Sequence, residues 1–165
     1  MTAAAKLLVV AAAVAAVGGC EPPGKVSRMM PRPVADIDRL GIHVGVAAMS
    51  WDEEPGPDGV FVKVYCYQLH QPKTVTVKGV LEFLLFEGSV SASTIDKAEP
   101  FQTWKFTGEQ LSAHAVRSMV GWGYAMQLAW DKDVPKAGKI TLLARYISAT
   151  GVQTFSAPVS IPMAG

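Results

Sequence analysis

The chain has 165 residues, with 15 lysines and arginines against 14 aspartates and glutamates. That length is enough for one domain with a proper hydrophobic core. A near-neutral charge lacks the electrostatic footprint that phosphate backbones require, which excludes nucleic acid as a natural partner.

Taken in chain order, the first feature is Lys6, followed by an unbroken apolar run over residues 7–17 and then Gly18-Gly19-Cys20. The run is too short for a permanent membrane-crossing helix, which needs about 20 apolar residues. It has the length of a secretory signal peptide. Val17-Gly18-Gly19-Cys20 resembles the lipobox of bacterial lipoproteins. That resemblance implies removal of residues 1–19, acylation of Cys20 as the new N-terminus, and a membrane as partner through those acyl chains. Losing Lys6 leaves equal numbers of cations and carboxylates, so attachment rests on lipid and not on a basic patch. Glu21, not Asp, follows the cysteine. By resemblance to the sorting rule of enterobacterial lipoproteins, this implies the outer membrane in a two-membrane cell. Residues 20–40 contain four prolines, Pro22, Pro23, Pro31 and Pro33. They read as an extended tether that, at roughly 3 Å per residue, holds the domain some 40–50 Å from the head groups.

Residues 41–165 read as one domain of short strands. Ile42, Val44, Val46 and Ala48 alternate with smaller or polar residues. Val60, Val62, Val64 and Cys66 form one strand face, with Phe61, Lys63, Tyr65 and Tyr67 on the other. Between them, residues 52–59 are rich in turn formers. Residues 74–87 place Val75, Val77, Leu81, Phe83 and Leu85 on one side, and Gly79 predicts a bulge or a close backbone contact. Leu84-Leu85-Phe86 is apolar on both faces, as in a strand covered twice or one lying in an interface. Thr107 and Gln110 fit a capping box, with Phe106 and Leu111 as its hydrophobic staple. The spacing predicts a helix from Gly108 to about Ser118, ended by Gly121. Trp122, Tyr124, Met126, Leu128 and Trp130 then alternate, as do Ile140, Leu142, Ala144 and Tyr146. A turn over residues 148–151 leads to Phe155, Ala157, Val159 and Ile161, where Pro158 marks an edge or bulged strand.

About seven such strands predict an all-β, antiparallel β-sandwich, with the one short helix in a crossover connection. The cadence over roughly residues 41–163 resembles immunoglobulin-like and fibronectin-type-III-like domains. No cysteine pair brackets a tryptophan, so a true immunoglobulin domain is not implied.

Chemistry-bearing patterns are sparse. His43, His70 and His114 lack the short spacings of zinc sites, and Cys66 with His70 makes only half a metal site. No nucleophile elbow, phosphate-cradling loop or HExxH motif occurs. Asp52, Glu53, Glu54 and Asp58 lack the alternation of a calcium loop and read as a solvated turn. Cys66 reads as a small buried hydrophobe. These readings predict no enzyme, no metal and no cofactor. They leave a lipid-anchored envelope protein whose sandwich binds another protein or serves a structural role. The alternative is a glycan- or peptidoglycan-binding module using rim aromatics at strand ends, with Trp51 and Trp104 the candidates for ligand or partner contact.

Overall fold

The computed structural model describes residues 30–131 and 133–163. Cys20, the apolar leader and the first half of the expected tether lie outside the described residues. In chain order the elements are β1 (Arg39–Val44), β2 (Gly59–Tyr67), β3 (Val80–Glu87), β4 (Gln102–Thr107), α1 (Gly108–Ala113), β5 (Ala115–Ser118), β6 (Gly121–Ala129), β7 (Lys139–Ile147), β8 (Gln153–Phe155) and β9 (Val159–Pro162). One sheet has the order β1-β2-β6-β5 and the other β4-β3-β7, with β8 and β9 sharing the far edge of β7. All strand pairs are antiparallel. The β1-β2-β6-β5 sheet faces a second sheet built around β3 and β7, which makes the body an all-β sandwich.

The period-two patterns give the two inner faces. Val60, Val62, Val64 and Cys66 from β2 lie beside Tyr124, Met126 and Leu128 from β6. Opposite them stand Leu81, Phe83 and Leu85 from β3 with Ile140, Leu142, Ala144 and Tyr146 from β7. Every one of these is 2% exposed or less. Phe83 faces Ala144 across the β3–β7 ladder, so a large ring is matched by a small neighbour.

Several sequence expectations change in detail. Among the described residues there are nine strands where about seven were expected. The helix stops at Ala113, six residues long, because Ala115–Ser118 pairs with β6 as an edge strand. Tertiary pairing there overrides local helix preference. The capping box is present, and α1 does carry the chain from one sheet to the other. Gly121 does not end a helix. It opens β6 at φ +127°, where a Cβ would lie 2.6 Å from Thr74 Oγ1. The first run ends at Val44, leaving Val46 96% exposed. Pro158 interrupts the last run, splitting it into β8 and β9. In the gap the Ser156 hydroxyl accepts the Ala144 N–H at 3.0 Å.

The packed body also begins earlier than Gly41. Val34 forms a parallel bridge with Val77, and Ile37 and Leu40 are buried, so residues 34–40 belong to the sandwich and not to the tether. Residues 74–79 act as a strap from one sheet to the other, with Val75 bridged to Cys66 and Thr74 to Gly121. Gly79 is a close contact, since a Cβ there would lie 2.2 Å from the Ile147 carbonyl oxygen. Leu84-Leu85-Phe86 lies in a strand covered on both sides. Phe86 and Leu143 are buried on the outer face, where residues 88–101 cross the sheet. Thr141 Oγ1 pins that crossing by accepting from Val90 N at 3.0 Å and donating to Gly88 O at 2.8 Å.

Candidate functional site

The strands give the body two ends. At one, here called the base, β2 and β7 finish, β3 and β6 start, and the chain enters from Met30. The base carries a groove of about 610 Å³ lined by Pro31, Gln71, Lys73, Val75, Arg117 and Trp122, with Met119 at its lip. Concave sites with a few convergent polar groups are where ligands bind.

Local structure explains the groove. The β5–β6 turn is held by the strap: Thr74 N donates to Val120 O at 3.0 Å and Trp122 N to Thr74 O at 3.4 Å. Thr74 Oγ1 adds a bond to the same Val120 carbonyl at 3.2 Å. The turn therefore cannot fold back over the sheet end, and Met119 stands fully in solvent with Val120 half exposed. Register places Arg117 directly opposite Trp122. Lys73, one residue before the strap's anchor, is exposed and supplies the second cation. The groove thus pairs a half-buried indole with two positive charges, a combination suited to an anion that also has an apolar part.

The residues singled out from sequence lie elsewhere. Trp51 is at the opposite end, 39% exposed, its ring over Gly59. Trp104 is half-buried, donates its indole N–H to Ala129 O at 2.9 Å, and lies 6.2 Å from the Trp130 ring. Trp130 in turn donates to Pro57 O at 2.7 Å. Trp104 and Trp130 thus close that rim of the sandwich. In the neighbouring loop, Asp58 accepts the Trp51 N–H at 2.7 Å and Asp52 accepts that of Glu54 at 2.8 Å, so these carboxylates shape the turn.

The histidines are dispersed. His43 is exposed on β1, edge-on to Tyr65, and His114 packs edge-on to Phe106. His70 sits in an exposed turn at φ +71° beyond the end of β2. Cys66 points the other way, into the core, and burial pushes its thiol up to about 12. The two therefore share no strand face. Among the described residues no group of three or more His, Cys, Asp or Glu is placed to hold a metal ion.

Sequence reasoning passed over the groove because it grouped Trp122 with the core stripe and put Arg117 on a helix. Reading residues 115–124 as a tight hairpin around Met119 and Val120 would have set Arg117 against Trp122. No protein-family model, no curated protein and no solved structure matches the chain.

Proposed function

We propose that this chain is a cell-envelope protein held to a membrane by acyl chains on Cys20, and that its sandwich is a binding body and not a catalyst. The anchoring part is supported by Lys6, the apolar run and Val17-Gly18-Gly19-Cys20. Glu21 favours the outer membrane where the cell has two. The single observation that carries the binding part is the basal groove, in which Lys73, Arg117 and Trp122 converge. Its chemistry selects an amphipathic anion. A glycan platform built on Trp51 and Trp104 is less well supported, because the Trp104 indole faces Ala129 and Trp130.

Two experiments test the two parts. Replacing Cys20 by Ser should leave the product unprocessed or release it from membranes, and unchanged fractionation would remove the anchor. For the groove, titration calorimetry with a short-chain anionic lipid or an acidic peptide should show binding. The Lys73→Ala/Arg117→Ala chain should bind at least about tenfold more weakly, the scale of two cations at an anionic surface. Equal affinity in the two chains would move the binding site elsewhere.

A further inference from the structure

We infer that the base of the sandwich docks on the anionic surface of the bilayer that anchors the chain, with the Met119–Val120 turn dipping into the interface. The inference rests on the lipid-anchor reading and names the occupant of the groove: lipid head groups.

Three independent observations converge on it. The first is reach. Nine residues separate Cys20 from Met30, and at about 3.5 Å each even a fully extended chain holds Met30 within roughly 35 Å of the acylated residue. Pro31 already lines the groove, so the tether leaves the body at the base and keeps that end close to the anchor.

The second is charge. Arg32, Arg39, Lys73, Lys78 and Arg117 are exposed at the base, against Asp36, Asp38 and Glu109, with Asp38 engaged with the Leu69 N–H. The other end carries Asp52, Glu53, Glu54, Asp58, Asp131 and Asp133, which outnumber its exposed cations Lys136 and Lys139 among the described residues. An anionic surface attracts the first end and repels the second.

The third is the distribution of apolar tips. Met119 is 101% exposed, Leu69 70% and Val120 50%, all on turns at the base. Half-buried Trp122 sits just behind them. The opposite end has exposed apolar side chains too, Val46 and Trp51 among them, but there they stand among carboxylates. Apolar tips backed by a tryptophan and flanked by cations are the combination that partitions into a head-group layer.

The test uses the full lipidated chain reconstituted in vesicles, with an environment-sensitive dye on Met119→Cys or, at the far end, on Val134→Cys. Acylation consumes the Cys20 thiol and Cys66 is buried, so each chain takes one dye. In vesicles containing phosphatidylglycerol, position 119 should shift to the blue and be quenched by nitroxide lipids, while position 134 stays aqueous. The signal at 119 should fall at least about twofold in phosphatidylcholine alone, where the electrostatic term is missing. Lys73→Glu/Arg117→Glu, both at exposed positions, should return position 119 to water. Flotation with both dyes aqueous, an equal shift in phosphatidylcholine, or a shift that survives the double substitution would overturn the docking while leaving the anchor. So would protection of position 119 by an acidic peptide without vesicles, which assigns the groove to a protein partner. A chain that does not float and takes a second dye at Cys20 overturns the anchor itself.

Discussion

Glu82 lies in the middle of the outer face of the second sheet, directly opposite Lys105 on β4 and Arg145 on β7. It is 5% exposed. Arg145 donates from both Nε, at 2.8 Å, and Nη2 to Oε2, while Lys105 reaches Oε1 at 3.2 Å. The partners are unequal, since the Lys105 side chain is 63% exposed and that of Arg145 29%. Removing Lys105 costs under about 1 kcal/mol, as for an exposed pair. Arg145→Ala leaves the buried carboxylate only the exposed Lys105 as partner and should cost about 3–5 kcal/mol. Glu82→Ala strands a guanidinium that can turn to water, so about 2–3 kcal/mol is expected. Replacing both partners, as Glu82→Leu/Arg145→Met, should recover most of the loss. The pH dependence has a definite sign. Burial by itself raises the Glu82 carboxyl, but the hydrogen bonds and charges of Arg145 and Lys105 outweigh it and hold the group below its ordinary value of 4.5. The folded state therefore binds fewer protons than the unfolded one. The stabilisation is complete above the unfolded value and is lost as pH falls through the lower folded one. Urea unfolding of residues 30–163 from pH 7 to pH 3 measures both effects. The reasoning is refuted if Arg145→Ala costs no more than Lys105→Ala, or if Glu82→Gln has the same acid slope as the parent.

Tyr146→Phe should cost about 1–3 kcal/mol, because it removes the hydroxyl that donates to Ala35 O and accepts the buried Gly79 N–H at 3.1 Å. Faster hydrogen exchange at Gly79 would locate the loss. Gly79→Ala should be more damaging than Gly138→Ala, since an added Cβ meets Ile147 O at 2.2 Å in the first case and nothing within 4 Å in the second; melting temperatures of the two variants compare them directly. Cys66, buried and raised to about 12 by desolvation, should resist a thiol reagent at pH 8 until the protein is unfolded in denaturant. Prompt labelling of Cys66 in the native state would show that the core opens.

How much of this was legible in the sequence follows from the range of the forces involved. Period-two alternation is local and strong, so Val60, Val62, Val64 and Cys66 were assignable to the core from spacing alone, and all four are buried. The capping box of Thr107 and Gln110 is equally local and is present. What alternation cannot encode is which strand a segment finds. Residues 115–118 carry no pattern of their own, and their strand state comes from pairing with β6. The groove has the same origin. Its cations come from segments more than forty residues apart in sequence, brought together by the strap's bridges and hydrogen bonds to β2 and the β5–β6 turn. Trp51 and Trp104 were attractive as isolated aromatics at strand ends. That Trp104 would meet Ala129 and Trp130 depends on the two sheets closing, which local spacing does not report.

The way the chain enters the sandwich bears on the anchored reading. A tether fixed to a membrane at Cys20 would load the body at its first packed residues, and those residues are held by hydrogen bonds to the strap and to the core tyrosine Tyr146. Val34 N donates to Thr76 O at 2.8 Å and Lys78 N to Val34 O at 2.9 Å. One residue on, the Ala35 carbonyl accepts from Tyr146, whose ring lies in the core and whose oxygen also takes the Gly79 N–H. Tyr124 reaches the same strap from the other sheet, accepting the Val77 N–H at 2.8 Å. Both sheets therefore send a buried tyrosine to the strap that receives the incoming chain. Pull on residue 34 would be shared by the strap and the two sheet cores, and not by the short edge strand β1 alone. On this account the tyrosines do more than fill the core. They would tie a load applied at residue 34 to both sheet cores, so that a body held at its N-terminus could bear it without its first strand peeling away.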